Sequence, residues 1–142
     1  MKKTIALFIA IILALSLCAC GASTEDNSPA YIGTWKINQI LGSSTNADET
    51  QGILILKTDG TFSWQLLNEE MNTDSTLSGT YAVNEEETSI QFSGDRITDV
   101  KNNQTSSSDL EKPMKLKGDI LDAETMKVTA GNGNEVVELK KQ

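Results

Sequence analysis

Two pairs of carboxylates, Asp95 with Asp99 and Asp119 with Asp122, are the groups in this chain that could be proposed for acid–base work on a glycosidic bond. Both pairs fall where strands are expected to end, and acids at strand ends are ordinarily solvated. Glu85-Glu86-Glu87 offers a hard cation several oxygens. Consecutive residues of a strand or turn point in different directions, however, so the run makes a poor cage. Histidine is absent, which removes the commonest general base and the commonest transition-metal ligand together. A nucleophile needs a base beside it, and only carboxylates and lysines are left to act as one. Gly131-Asn132-Gly133-Asn134 is glycine-rich but opens no helix, so it reads as a hairpin turn rather than a phosphate loop. The expectation is a protein that is not an enzyme, with no catalytic residue, no cofactor and no metal site.

The two thiols, Cys18 and Cys20, follow an apolar run. From Ile5 to Leu17 only Ser16 is polar, and Lys2 and Lys3 stand at the head. A charged start, an apolar centre and a small-residue end make a secretory signal peptide. As a helix the run would span roughly 20 Å, short of the roughly 30 Å hydrocarbon core. Leu17-Cys18-Ala19-Cys20-Gly21 resembles a bacterial lipobox, with an aliphatic residue three positions before the cysteine and small residues between. Cys18 would need bulky Leu17 next to the cut, which leaves Cys20. The resemblance implies cleavage before Cys20, acyl chains on Cys20, and a lipid-anchored protein on the extracytoplasmic face of the cell membrane, at the outer membrane if the cell has one. Several acyl chains hold firmly where one binds marginally.

Cleavage there would leave 123 residues, enough for one domain with a real core. The net charge of −8 would become about −10 once Lys2 and Lys3 are lost. So acidic a surface argues against nucleic acid as a partner. The expected partners are the membrane, through Cys20, and a small apolar ligand or an envelope protein, with the chain itself a monomer. Residues 1–19 are read as signal peptide, 20–30 as a lipidated tether too polar to order itself, and 31–142 as the folded domain.

That domain is written in strands. Phe62, Trp64 and Leu66 alternate with Ser63 and Gln65, and Leu77, Gly79, Tyr81 and Val83 alternate with polar residues and Ala82. Ile53-Leu54-Ile55-Leu56 is apolar on both faces, which predicts a strand covered on both sides or one whose outer face meets something apolar. Asp59-Gly60 between two such runs is a strong hairpin signal. Asn84-Glu85-Glu86-Glu87 reads as another turn. The expected strands are 33–40, 51–58, 61–67, 76–84, 88–93, 96–102, 112–117, 119–130 with a break near Ala123-Glu124, and 134–140. Leu41 to Thr50 and Asn102 to Asp109 read as mobile loops. Eight or nine short strands predict an all-β fold, a single antiparallel up-and-down barrel or barrel-like sandwich of about eight strands.

Gly33-Thr34-Trp35, Asp59-Gly60-Thr61-Phe62 and Ser78-Gly79-Thr80-Tyr81 together resemble the small bacterial lipocalin-like lipoproteins. The resemblance implies a calycin-type barrel in which Trp35 packs across the floor and Gly33 leaves room for it. The candidate interior or ligand-lining residues are Trp35, Ile37, Phe62, Trp64, Leu66, Tyr81, Val83 and Phe92. An eight-stranded barrel is just wide enough to be filled by side chains or to admit one small ligand. Two functions therefore stand side by side: binding of a small apolar molecule or an envelope component, or a structural and protein-interaction module with a solid core.

Overall fold

The computed structural model describes residues 28–42, 50–68, 73–129 and 133–142. The expectations placed on the signal peptide, Cys20 and the tether before Ser28 lie outside the described residues. Eight antiparallel strands, β1 (Gly33–Leu41), β2 (Thr50–Leu56), β3 (Thr61–Asn68), β4 (Thr73–Val83), β5 (Ser89–Lys101), β6 (Gln104–Ile120), β7 (Thr125–Thr129) and β8 (Val136–Lys141), follow one another round a closed barrel. The all-β, up-and-down fold is therefore the one the strand pattern predicts.

Register places the apolar set inside. Trp35 faces Leu54, Leu54 faces Trp64, and Trp64 faces Leu77 across β1 to β4. One turn of the pleat lower, Leu56 faces Phe62 and Phe62 faces Gly79. The far wall closes through Ile90, Gly118, Val128 and Val137. Because the side-chain period is 2, these pairings put every one of these residues on the inner surface together.

The ladders differ in length, and that shapes the ends. β1 and β2 pair only from Gly33 to Lys36, and β6 and β7 only from Lys117 to Ile120. Below, the barrel is closed. Above, it splays into a five-strand sheet, β2 to β6, and a three-strand sheet, β7-β8-β1. Gly52 sits in one cleft of the splay, where an added Cβ would stand 2.4 Å from Ile37 Cδ1 and 3.0 Å from a Leu66 methyl. Side chains bridge the sheets where backbone pairing stops.

Three of the described hairpin turns show how the chain reverses. At Lys57 to Thr61, Gly60 takes φ +79° and Asp59 accepts hydrogen bonds from the Thr61 N–H and hydroxyl at 3.0 and 2.6 Å. The Asn84 carboxamide oxygen accepts from the N–H groups of Thr88 and Ser89 at 2.9 and 2.8 Å. Asn102 and Asn103 both adopt positive φ, 52° and 62°, the requirement of a two-residue type I′ hairpin.

This last turn corrects the sequence expectation. Residues 104–109 are strand, not loop, and they extend β6 to 17 residues. The expected strands 88–93 and 96–102 are one strand, β5, bent by a bulge at Asp95 between Gly94 and Arg96. The expected strand 119–130 breaks at Leu121 to Glu124, where the chain turns from β6 into β7. Leu41 and Thr50 are strand ends, and the residues 43–49 between them lie outside the described set.

Candidate functional site

The floor of the barrel is sealed from several directions. Trp35 is fully buried and its Nε1–H donates to the Tyr31 carbonyl at 3.0 Å. Lys141 lies over the ring with Nζ 5.8 Å from the centroid, and its ammonium donates to the Ala30 carbonyl. An ammonium over an indole face is attracted by the ring quadrupole. Gly33, at φ +131°, would bring a Cβ to 3.3 Å from Lys141 Cε. The room left by Gly33 is thus taken by the lysine stem, and only through it by the tryptophan. Tyr81 meets Tyr31 edge to face at 6.3 Å, and its hydroxyl donates to the Lys57 carbonyl. Burial pushes the Tyr81 phenol pKa up. Pro29 already accepts from the Ile32 N–H, so the chain is fastened two residues before the expected domain start.

The middle of the barrel is filled. Phe62 and Phe92 pack edge to face at 5.1 Å, surrounded by Leu54, Leu56, Ile90, Met126, Val128 and Leu139, each at most 2% exposed. β4 and β5 approach closely at Gly79 and Gly94. A Cβ on Gly79 would stand 2.0 Å from the Ser93 carbonyl oxygen, and one on Gly94 would run into Leu77.

The open end keeps an apolar wall and exposes it. Leu66 and Met114 face inward by register, opposite Ser75 and Gly94, yet are 41% and 44% exposed. Ile37, Leu77 and Ile97 are half-buried on the same inner surface. Beneath them Trp64 is 7% exposed, and its Nε1–H finds no hydrogen-bond partner among the described residues. Farther out the inner face turns polar: the Ser75 hydroxyl donates to Asp99 at 2.5 Å, and Lys101 pairs with Thr73. The wall thus grades from apolar to hydrogen-bonding over two turns of the pleat.

Of the eight residues expected inside, Trp35, Phe62, Trp64 and Phe92 are buried, Ile37, Tyr81 and Val83 are half-buried against them, and Leu66 stands at the mouth. Leu54, Leu56, Ile90, Met126, Val128 and Leu139 lie outside that set although all are core. For Met126, Val128 and Leu139 the signal is the alternation in Met126-Lys127-Val128 and Val137-Glu138-Leu139, beyond the last aromatic, Phe92. The two-faced strand β2 resolves cleanly: Leu54 and Leu56 are buried, while Ile53 and Ile55 point outward at 38% exposure each.

The acids are engaged separately, Asp99 on the inner wall of the open end and the others away from it. Asp99 takes the Ser75 hydroxyl, Asp119 pairs with Lys117 at 3.0 Å, and Asp122 accepts from the Glu124 N–H at 2.8 Å. That backbone hydrogen bond holds the Asp122 carboxyl below its ordinary value. Asp95 is the extra residue of the β5 bulge, beside a surface groove lined by Ser78, Arg96, Asp109 and Leu110. Glu85 to Glu87 are exposed in the β4–β5 turn. Among the described residues no three side chains of metal-binding type converge. No family model, no curated protein and no solved structure matches this chain.

Proposed function

We propose that this chain is an acyl-anchored bacterial lipoprotein whose lipocalin-like barrel takes up a small apolar molecule at its open end and does not transform it. The observation that carries the binding reading is the exposure of inward-facing Leu66 and Met114 above a sealed and filled lower barrel. Apolar surface turned inward and left wet costs about 25 cal/mol per Å² until something covers it. A ligand seated on Leu66, Leu77, Ile97 and Met114 would supply that cover, with any polar end toward Ser75, Asp99 and Lys101. A second reading, a protein-interaction module, rests on a different surface: Ile53 and Ile55 on the outer face of β2 are each 38% exposed.

The two readings separate in one titration. The chain from Gly21 onward, carrying Trp35→Phe so that Trp64 alone reports, is titrated with fatty acids and a hydrophobic dye while tryptophan emission is followed. Saturable change is expected, and Leu66→Arg should weaken it at least about tenfold, a loss of about 1.4 kcal/mol. Unchanged emission at saturating ligand overturns the internal site and leaves the Ile53–Ile55 surface as the better reading. For the anchor, Cys20→Ser should abolish acylation and leave the precursor uncut, whereas Cys18→Ser should not. Equal loss in both variants would remove Cys20 as the attachment point.

A further inference from the structure

β6 is a long strand with a short partner. Its second side pairs with β7 only over Lys117 to Ile120, so from Gln104 to Leu116 that side has no strand partner among the described residues. β7 ends at Thr129 opposite Lys117, eight residues beyond Asp109, which is roughly 25 Å away along an extended chain. Gln104 to Asp109 are all exposed. An edge of this kind is a template for another strand, and proteins ordinarily blunt it with charge, proline or a bulge. Here those devices come later: Pro113 and the irregularity between Asp109 and Met114 mark where the regular edge stops. Gln104-Thr105-Ser106-Ser107-Ser108 carries no charge at all.

The type I′ turn fixes which backbone groups face outward. A two-residue hairpin closes on a hydrogen-bonded pair, here Lys101 with Gln104. Hydrogen-bonded and non-hydrogen-bonded pairs alternate from there, so Thr105, Ser107 and Asp109 turn their N–H and C=O groups away from β5. Direct contact between the Thr98 and Ser107 hydroxyls, 2.9 Å apart, agrees with the closer approach of a non-hydrogen-bonded pair.

We propose that the Thr105–Asp109 edge of β6 pairs antiparallel with the same edge of a second copy of this chain, about a twofold axis at Ser107. In that register Ser107 meets Ser107, Thr105 meets Asp109, and Ser106 meets Ser108 of the other copy. Every outward amide faces another outward amide, giving roughly six hydrogen bonds, two for each of three pairs. No like charges are opposed, and each Asp109 keeps its own Arg96, 2.7 Å away. The local charge also permits a like copy to approach. Residues 96–112 hold three basic and three acidic side chains, in a chain whose net charge is −8. Repulsion between the remaining acidic surfaces is screened beyond about 8 Å at physiological salt. The twofold pairing stands in place of the expectation of a monomer.

Cross-linking in membranes of cells expressing the full chain tests this register. Ser107→Cys places two thiols across the axis at a Cα separation of about 5.5 Å, inside the range a disulfide spans. Thr105→Cys places them four residues out of register, roughly 13 Å apart. Mild oxidation should give a disulfide-linked dimer from Ser107→Cys, well above wild type, and not from Thr105→Cys. Adding Thr105→Pro to Ser107→Cys removes an outward N–H from each copy and should cut the dimer about tenfold. Its thermal melt should stay at that of Ser107→Cys, because this N–H makes no bond within the hairpin. Equal yields from positions 105 and 107, no dimer from either, or a dimer insensitive to Thr105→Pro at unchanged stability would each overturn the pairing.

Discussion

Trp64 places an indole N–H in a side chain that is 7% exposed, with no acceptor among the described residues, on the inner face just below the open end. An orphaned buried donor costs about 1–3 kcal/mol relative to one that is bonded, whereas an apolar group of the same shape incurs no such cost. Phenylalanine keeps an aromatic ring at this position and removes the donor. Trp64→Phe should therefore change unfolding free energy by less than about 1.5 kcal/mol in urea melts, since the small cavity offsets the relief of the orphan. A loss above about 3 kcal/mol would show that the N–H is bonded after all. Trp35 is the contrasting case. Its N–H is satisfied by Tyr31 and its face is covered by Lys141, so the same substitution there breaks a hydrogen bond and a cation contact together. Two tryptophans of one barrel thus have opposite roles, one as a sealed floor and one as the last aromatic ring beneath the mouth.

Among the described hairpins, the β4–β5 connection is the one whose sequence and backbone disagree. Glu87 takes φ +53°, where a side chain costs roughly 1–2 kcal/mol and glycine costs almost nothing. The turn holds because Asn84 ties both Thr88 and Ser89 to itself. Glu87→Gly should raise stability by about 0.5–1 kcal/mol, the backbone relief being partly cancelled by the greater freedom of glycine in the unfolded chain. A lower midpoint in urea would mean that the Glu87 side chain does something its exposed position does not indicate. The same elements show what the sequence made legible. Alternation located β3 and the lower half of β4 because one face of each is buried, and Asp59-Gly60 marked its turn because only a small set of residues accepts that backbone. The outer half of the β5–β6 hairpin was legible on one side only: 96–102 is expected as strand, whereas 104–109 reads as loop because neither of its faces meets the core. Its strands are held by backbone pairing and by contacts such as Arg96 with Asp109 and Thr98 with Ser107, which leave no apolar period. The usable signal was Asn102-Asn103, a type I′ pair between Thr98-Asp99-Val100 and Thr105. The candidate site was half legible for the same reason: its inner wall obeys a period, whereas its exposure depends on where the ladders end.

At the scale of the whole molecule the missing histidine governs how the barrel responds to pH. No side chain of ordinary pKa near 6.5 exists to titrate between pH 5 and 8. Three exposed carboxyls are held below their ordinary value of 3.8: Asp59 by the Thr61 hydroxyl and N–H, Asp109 by the Arg96 guanidinium, and Asp122 by the Glu124 N–H. A carboxyl with a depressed folded pKa contributes stability that is present above the unfolded value and lost as pH falls through the folded one. These three pin the β2–β3 turn, the outer hairpin and the β6–β7 turn, so acid should loosen both ends of the barrel before its filled middle. On the alkaline side Tyr81 behaves in the opposite sense. Its raised phenol pKa contributes stability below about pH 10 that is lost as pH rises through the folded value, and with it goes the donor to the Lys57 carbonyl at the floor. Urea midpoints should therefore be level between pH 6 and 8, fall below about pH 4 and fall again above about pH 10. Arg96→Ala should flatten part of the acid limb, because Asp109 then titrates alike in both states, while leaving the alkaline limb untouched. A midpoint that slopes between pH 6 and 8, or an acid limb indifferent to Arg96, would mean that other charges set the acid stability of this barrel.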